Sequence, residues 1–515
     1  MKPNFLGRLA ALTAVAVLAG APMAAPVFAQ EAAPAAAEAA AAPAPTEAAP
    51  AAAAPETAAP AAAEEAPAPV PDKGDTTWML LSSLLVLLMI IPGLALFYGG
   101  LVRQKNMLSM LMQVSTVTVV GMITWILWGY SLAFTDGGAA NKVVGGLSKM
   151  FLNGVGVSNN VETFSVGVVI PELAFVAFQM TFACITAALV LGGLAERIKF
   201  SATLLFAVIW PIVVYYPMAH MVWWWAGATS GAGVPAAETA AGAGYLWGIG
   251  AIDFAGGTVV HINAGIAALV GALILGKRSG FQKEPMPPHS LTLTMVGAGL
   301  LWVGWFGFNA GSNLEANGYA ALAMVNTFIA TAAAGFSWTL VEWVTRKKAS
   351  MLGMASGIVA GLVAITPAAG FAGPMGALIL GLIVSPICVI FCSAVKNALK
   401  YDDSLDAFGI HAIGGIVGAL GTGLLVNPAW GGQGIVDYST CGAGGVDIAT
   451  CQSAYDLSFQ MMAQLRAVGV TIVWSAVGSA FVFYLIKMIT GLRVSPETEE
   501  EGLDISEHGE RAYHS

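Results

Sequence analysis

The sequence predicts an all-α membrane protein with eleven transmembrane helices, arranged as a 5+5 inverted repeat plus one extra helix. Three observations support this prediction. Of the 515 residues, 57% are hydrophobic and 10% are charged, apolar stretches of membrane-spanning length recur along the chain, and two of them share a motif around a single histidine. Soluble domains contain about 25% charged residues, so composition alone indicates a membrane protein. The net charge of −9 comes mostly from the two ends, and no basic face suggests nucleic acid.

The first 29 residues have the organisation of a secretory signal peptide. Lys2 and Arg8 precede a short apolar stretch, and small residues surround Ala29. This pattern predicts cleavage after Ala29, whereas the alternative, an uncleaved first helix, needs a longer apolar stretch. Residues 30–73 are rich in Ala, Pro and Glu. They predict a disordered linker outside the cytoplasm, because such a composition cannot form a buried core.

Residues 74–490 form the predicted membrane domain. Each of its eleven apolar stretches is long enough to cross a hydrocarbon layer of about 30 Å, and glycine and proline inside them are tolerated in tightly packed membrane helices. The predicted spans are 77–101, 107–134, 171–195, 201–225, 254–276, 290–312, 318–345, 350–367, 372–395, 407–427 and 464–489.

Basic residues predict the orientation of these spans. Twelve lysines and arginines, from Arg103 to Lys400, fall in alternate loops, whereas the opposite loops hold only Lys142 and Lys149. Positively charged loops stay in the cytoplasm. The mature N-terminus is therefore predicted outside and the C-terminus inside, which requires an odd number of helices.

Spans 5 and 10 carry the repeated motif, as DFAGGTVVHINAG and DAFGIHAIGGIVG. Each has an aspartate near its start (Asp253, Asp406), one histidine (His261, His411) and a glycine four residues later. Since five is odd, the second group of five helices is inverted relative to the first. The spacing differs, because His261 lies about 12 Å along a helix from Asp253 but His411 only about 7.5 Å from Asp406. We therefore expect helix 10 to begin below the membrane surface.

His261 and His411 are the two histidines that lie well inside predicted spans. An intramembrane ionisable group is costly and usually marks a pathway, although a single one is equally consistent with a structural hydrogen bond between helices. A pair at matching positions favours function. An apolar lining favours neutral rings, each with one donor and one acceptor, which suit a small polar molecule or a proton relay. A metal site, the enzymatic alternative, needs further ligands, and no HExxH motif is present.

Five motifs in order resemble the bacterial ammonium transporter family, which is related to methylammonium permeases and Rh proteins. They are FQMTFACIT (178–186), LAERIKFSA (194–202), DFAGGTVVHINAG (253–265), WFGFNAGS (305–312) and DAFGIHAIGGIVG (406–418). The resemblance extends from about residue 78 to the end of the chain. It implies a non-enzymatic, cofactor-free transporter of a bacterial inner membrane, with a periplasmic linker and N-terminus, and a trimer in which each protomer has its own pore.

The resemblance also implies roles for individual residues. His261 and His411 match the twin pore histidines, and Phe182 and Phe308 match stacked rings that close the external entrance. The residues that match an outer ammonium recruitment site are Phe178, Trp223 and Ser312, with Asp253 as the acid that organises it. Trp224 and Trp225 compete with Trp223 for its position in HMVWWWAGATSG.

These roles are physically reasonable. An ammonium ion over aromatic faces gains about 0.5–2 kcal/mol, and an apolar pore excludes bare ions. Potassium has a similar size but cannot lose a proton, so selectivity follows if ammonium is deprotonated at the entrance and ammonia passes the histidines. The main alternative is an ammonium sensor that conducts little and signals through its tail. A channel for another small neutral solute would not need Trp223 and Ser312 at its mouth.

Two segments outside the pore motifs carry further predictions. Residues 491–515 resemble the family's cytoplasmic tail, which implies coupling between subunits and docking of a PII-type nitrogen regulatory protein, rather than only a solvated acidic end. Cys441 and Cys451 lie in the external loop before helix 11. Because that compartment is oxidising, we predict a disulfide. We expect its loss to affect transport little, since the loop is predicted to be remote from the pore motifs.

Overall fold

A computed structural model describes residues 69–441 and 451–513. The predicted signal peptide and residues 30–68 of the predicted linker lie outside the described residues. Eleven helices of the described part are long and apolar enough to cross a membrane, which confirms the predicted fold class. They are α1 Lys73–Leu101, α2 Gln104–Phe134, α3 Glu172–Leu194, α4 Phe200–Trp223, α5 Gly257–Leu275, α6 Leu291–Gly311, α7 Gly318–Arg346, α8 Met351–Ala368, α9 Pro374–Leu399, α10 Phe408–Leu425 and α11 Leu457–Ile489.

Polar caps extend two helices beyond the predicted spans. Asp72 accepts hydrogen bonds from the backbone N–H groups of Gly74 (2.6 Å) and Asp75 (3.1 Å), so α1 begins at Lys73 and not at 77. Asp456 accepts from Phe459 N–H at 2.8 Å, so α11 begins at Leu457 and not at 464. A side-chain cap satisfies an otherwise unpaired donor of the first turn. Hydropathy detects only the apolar part of each helix, so the predicted spans begin after the true helix starts.

The packing of the helices repeats between the two halves. In the first half α1 packs on α2 and α3, α2 packs on α3 and α4, and α3 packs on α5. The second half shows the same set, with α6 on α7 and α8, α7 on α8 and α9, and α8 on α10. Two interfaces join the halves, α1 with α6 and α5 with α10, and each pairs a helix with its repeat partner. This arrangement is that of two equivalent five-helix units, with α11 outside the repeat.

Short elements cover the end of the bundle where α1 begins, which we call the outer end after the predicted orientation. Two antiparallel strand pairs lie there, Asn160–Glu162 with Val169–Pro171 and Ile435–Val436 with Gln452–Ser453. Helical turns follow α4, at Ala228–Gly231, Ala236–Gly242 and Tyr245–Gly248. At the opposite, inner end the tail forms Pro496–Glu501 and Leu503–His508.

The tail lies against the inner ends of the membrane helices. Asp504 accepts from Leu108 N–H (3.0 Å) and Ser109 N–H (2.7 Å) in the first turns of α2, and Glu507 accepts from Phe200 N–H (2.9 Å) at the start of α4. Leu503 is buried. Carboxylates stabilise helix N-termini, where the backbone N–H groups are unpaired. The tail is therefore held in place by its acidic residues.

Candidate functional site

The start of α5 is organised by one carboxylate. Asp253 accepts from the backbone N–H groups of residues 256, 257, 258 and 259 at 2.6–3.1 Å and from the hydroxyl of Thr258. Gly256 has φ +114°, a conformation that favours glycine. The helix consequently begins at Gly257, and His261 lies in its first turns. The predicted distance of about 12 Å between Asp253 and His261 assumed that the helix begins at the aspartate. Irregular backbone at this depth is tolerated because protein surrounds it.

Asp403, and not Asp406, is the counterpart of Asp253 in the second repeat. It accepts from Ala407 N–H (3.1 Å) and Phe408 N–H (2.9 Å), and it precedes His411 by eight residues, as Asp253 precedes His261. Asp406 instead takes the position of Gly256, with φ +58°, and pairs with Lys396 at 2.7 Å. The predicted pairing of Asp253 with Asp406 was wrong. When Asp403 is compared with Asp253, each histidine follows its aspartate by the same number of residues. The predicted difference in depth between His261 and His411 therefore disappears.

The two predicted histidines lie side by side between α5 and α10. Their Nδ1 atoms are 3.3 Å apart, their ring centroids 5.3 Å apart, and the planes are inclined by 18°. Both are almost completely buried. Because one Nδ1 must donate and the other accept, one Nε2 is an acceptor and the other carries a proton. The pair therefore forms a polar thread with one donor end and one acceptor end.

Two glycines allow this close approach. A Cβ atom on Gly265 would lie 2.3 Å from the backbone nitrogen of Ala412, and one on Gly415 would lie 2.9 Å from the carbonyl oxygen of Gly257. Each glycine follows its histidine by four residues. Side chains here would push α5 and α10 apart, so the small residues set the distance between the imidazoles.

Aromatic rings cover the outer side of the histidine pair. Phe182 and Phe308 stack with centroids 4.2 Å apart and planes inclined by 18°, and both are fully buried. The Phe308 ring lies 6.0 Å from His261, while Trp223 meets the other edge of Phe182 at 5.9 Å. A continuous line of rings thus leads from the outer end to the histidines. The packed pair blocks a straight path, so a passing molecule requires the rings to move.

Trp223, rather than its neighbours, lies next to the stacked phenylalanines. Its indole N–H donates to the carbonyl oxygen of Asp253 at 2.9 Å, which fixes the ring beside the start of α5. Trp224 stacks on His220, and Trp225 stacks on Trp247. The structure therefore places only the first of the three tryptophans against Phe182.

A cavity of about 910 Å³ opens at the outer end and reaches this aromatic line. Trp223, Asp253 and Ser312 line it. The Ser312 hydroxyl donates to the carbonyl oxygen of Phe308 at 2.7 Å, which leaves its oxygen lone pairs to accept from a ligand. The carboxylate of Asp253 is occupied by the first turn of α5, so it organises the site without offering a free oxygen.

Phe178 does not line this cavity, although the resemblance placed it in the outer site. Its ring is fully buried, 4.8 Å from Phe182, and it packs toward Gly311. The cavity instead exposes Gln179, whose Oε1 has no hydrogen-bond partner among the described residues. The sequence-based prediction missed Gln179. The available signal was a polar amide within an otherwise apolar span.

His220 is a third buried histidine within a membrane helix, near the outer end of α4. Its two ring nitrogens lie 3.0 Å from the carbonyl oxygen of Ala133 and 2.7 Å from that of Asn141. Since only one nitrogen of a neutral ring carries a proton, a single strong donation holds α4 against the end of α2 and the following loop. His220 is thus a structural histidine, and it provides an internal comparison for the other two.

The external loop with the predicted disulfide is close to the site. Cys441 and Cys451 are bonded, with Cα atoms 5.2 Å apart. Tyr438 and Ser453, which flank the bridge, line the same cavity as Trp223. The expectation that this loop is remote from the pore was wrong. Distance in sequence concealed a contact that the packing of the outer segments creates.

Buried charges join the loops at the inner end. Arg278 pairs with Glu196 (3.0 Å) and Asp402 (2.9 Å), and Arg103 also pairs with Glu196 at 2.8 Å. Burial alone would raise the pKa of Glu196, but the two guanidinium groups hold it below its usual range. Glu499 of the tail accepts from Ser279 N–H at 2.6 Å. The tail therefore contacts the same loop that carries Arg278.

Comparisons with known proteins agree with this arrangement. The sequence model of the Ammonium Transporter Family matches residues 77–513. An ammonium transporter of Aquifex aeolicus is 44% identical over 445 residues, which cover 86% of this chain and 94% of that protein. A solved structure of Saccharomyces cerevisiae Mep2 is similar with a TM-score of 0.68 and 30% identity, covering 83% of this chain and 91% of the other. A Sensor Amt Protein gives a TM-score of 0.71 at 26% identity, covering 84% and 98%.

Proposed function

This chain belongs to the ammonium transporter family, and we propose that it recruits ammonium at an external aromatic site, deprotonates it and conducts ammonia past His261 and His411. It is a multi-pass membrane transporter of ammonium and not an enzyme. The observation that carries the proposal is the unbroken sequence of Trp223, Phe182, Phe308, His261 and His411. This line begins at an open cavity and ends at the meeting point of the two repeats.

Recruitment begins in the outer cavity. Trp223 offers a π face to a cation, and the Ser312 oxygen offers an acceptor. Asp253 acts as a positioning residue, because its carbonyl oxygen holds the Trp223 indole and its carboxylate holds the first turn of α5.

Deprotonation precedes passage through the buried part. Beyond Phe182 and Phe308 the rings offer no charged partner, and an unpaired ion in such surroundings costs many kcal/mol. Ammonia, which is neutral, avoids this cost, and the proton that ammonium gives up crosses separately along the hydrogen-bonded pair of imidazoles, so that transport carries current. The free end of each imidazole can then exchange hydrogen bonds with ammonia, since one Nε2 accepts and the other donates. Potassium has no proton to lose and is excluded by the same barrier.

Replacing Trp223 with Ala tests the recruitment site. We expect the ammonium concentration that gives half-maximal current in reconstituted membranes to rise by about threefold to tenfold, because one cation–π contact is lost. Trp224→Ala is the matched control, since that ring stacks on His220 and not on Phe182. Equal shifts for the two variants would contradict the assignment of Trp223.

The recording of ammonium-driven current also distinguishes a conducting transporter from a sensor. The alternative is an ammonium sensor that signals through its C-terminal tail with little conduction, and the similarity to the Sensor Amt Protein makes it a specific rival. The intact line of pore residues favours conduction. A protein that binds ammonium but carries no ammonium-driven current would support the sensor.

The assembly and its partners complete the proposal. We propose a homotrimer in a bacterial inner membrane, with a cleaved signal peptide (1–29), a periplasmic linker (30–73), an eleven-helix domain (74–490) and a cytoplasmic tail (491–515) that docks a PII-type nitrogen regulatory protein. The alternation of basic loops supports this orientation. The tail's acidic contacts with α2 and α4 provide a route from a bound regulator to the membrane helices.

Deleting residues 491–515 is expected to leave the trimer assembled and to abolish PII-type binding. The backbone donors that the tail caps lie at the inner surface, where water can replace its carboxylates. Pull-down of the regulator and the elution volume of the purified protein provide the two measurements. Deletion of 30–68, at the opposite end of the chain, is the control. Retention of the regulator by the protein that lacks 491–515 would refute the docking proposal.

A further inference from the structure

The outer cavity is much larger than an ammonium ion needs. Its volume is about 910 Å³, whereas pockets of about 300–1,000 Å³ accommodate ligands of drug size. Trp223 and Ser312 occupy only its floor. The upper wall consists of segments that the pore motifs do not include: the strand pair at 160–171, residues 224–248 after α4 and residues 433–439, which precede the disulfide.

Aromatic rings form this upper wall. Trp225 stacks on Trp247 with centroids 5.0 Å apart and planes inclined by 18°. The ring of Tyr438 lies 4.9 Å from that of Trp225. Phe164 stacks at 6.5 Å on Trp225. Four rings from three chain segments thus meet at the cavity, all of them among its lining residues. Clusters of aromatic faces are the usual binding surface for substituted ammonium groups.

Carboxylates without a cationic partner lie beside these rings. Glu162, Glu315 and Asp437 line the cavity, and within residues 69–441 and 451–513 none of them forms an ion pair with lysine or arginine. Their recorded donors are neutral groups such as Thr229 N–H and Ser165 N–H. Lys149, a cationic residue that also lines the cavity, is paired with Glu172. The wall therefore carries uncompensated negative charge.

The floor of the cavity contains an unused polar group as well. Gln179 is 8% exposed, and its Oε1 accepts no hydrogen bond from any described residue. An unsatisfied buried acceptor normally indicates a missing partner, either water or a ligand. Gln179 lines the same cavity as the aromatic wall, but its Oε1 is buried, so a ligand in the cavity reaches this oxygen only if the side chain turns.

We propose that the outer cavity is a binding site for organic ammonium ions larger than methylammonium, such as choline or other quaternary amines. The alkyl groups pack on the aromatic wall, and the charge faces the carboxylates of Glu162, Glu315 and Asp437. A quaternary amine has no proton to give up and is too large for the stacked phenylalanines. It therefore occupies the cavity and blocks ammonium entry. This site extends beyond the recruitment residues, which line the same cavity, and its effect on ammonium entry rests on the proposed function.

The disulfide maintains the wall of this site. Tyr438 is three residues before Cys441, its hydroxyl donates to the carbonyl oxygen of Phe164 at 3.0 Å, and its own carbonyl accepts from Gly233 N–H at 3.1 Å. Cys441 and Cys451 pack with Val166 and Ala228 in a small apolar cluster. The crosslink thus packs where the three segments that supply the rings meet, and its removal is expected to weaken organic cation binding.

Choline applied from the outer side tests the proposal. We expect it to inhibit ammonium-driven current of the wild-type protein and Trp225→Ala to raise the half-inhibiting concentration about tenfold. Trp430→Ala is the matched control, because that ring is 57% exposed and does not line the cavity. Asp437→Asn is a second variant. Asparagine also caps the turn at 438–440, so this change removes charge with little change of shape, and we expect inhibition to weaken about threefold.

Direct binding separates this proposal from the proposed function. Choline titrated into the detergent-solubilised protein, followed by tryptophan fluorescence, requires no conduction. Binding that Trp225→Ala weakens but Trp430→Ala does not would support the site even if no current were found. Absence of choline binding and inhibition in the wild type, or equal effects on Trp225→Ala and Trp430→Ala, would overturn it.

Discussion

Replacing His261 with Leu is expected to leave the protein folded and assembled and to change ammonium-driven current by an order of magnitude or more. The change removes one hydrogen bond, to His411 Nδ1, since His261 Nε2 has no partner among the described residues. Leucine has a similar bulk and suits the apolar surroundings, so the cost to stability is about 1 kcal/mol. The polar thread, in contrast, is interrupted. The yield of folded protein and the current should be measured on the same preparation.

His220→Leu is the matched control for this substitution. His220 is equally buried, but its ring connects two backbone carbonyl groups instead of facing the other repeat. Its replacement should lower the yield of folded protein, because a buried carbonyl group loses its donor, while the protein that does fold should conduct normally. A His261→Leu protein that behaves like this control, poorly assembled but fully active, would refute the pore role of His261.

Replacing Asp253 with Ala is expected to destabilise the protein by about 3 kcal/mol or more, because several buried backbone N–H groups lose a charged acceptor at once. Asp253 is 8% exposed, so water replaces the carboxylate poorly. The first turn of α5 carries His261, and the Asp253 carbonyl holds Trp223. The thermal unfolding temperature of the solubilised protein provides the measurement.

Asp456→Ala is the control for this effect. Asp456 caps α11 through one hydrogen bond at an exposed position, and loss of such a cap costs about 1 kcal/mol. If both alanine variants unfold at the same temperature, Asp253 is an ordinary cap and does not organise the site.

Hydropathy and charge predicted the membrane spans because these helices are long and their surroundings are uniformly apolar. The histidine pair was also predictable, since each ring is an exception within such a span and the two exceptions match. The ends of the helices were harder to predict from the sequence, because Asp72 and Asp456 are polar residues that hydropathy places outside the helix. The start of α5 required knowledge of which backbone groups Asp253 accepts from.

The remaining differences arise from contacts between distant segments. The sequence motif indicates Asp406 because this residue begins the apolar stretch, whereas the left-handed conformation of Asp406 and the cap formed by Asp403 are visible only in three dimensions. The aromatic wall of the outer cavity was also not predictable from the sequence. No local pattern places Tyr438 against Trp225, since packing brings together three loops from different parts of the chain.

The most direct test of the shared pathway is a double-mutant cycle of ammonium-driven current with His261→Leu, His411→Leu and the combined variant, each normalised to the amount of folded protein. Two groups that act as a unit lose most of their effect when either is removed. The combined variant is therefore predicted to change the current little more than the more severe single variant. Changes that multiply, as for two independent sites, would contradict the claim that His261 and His411 form one thread through one pore.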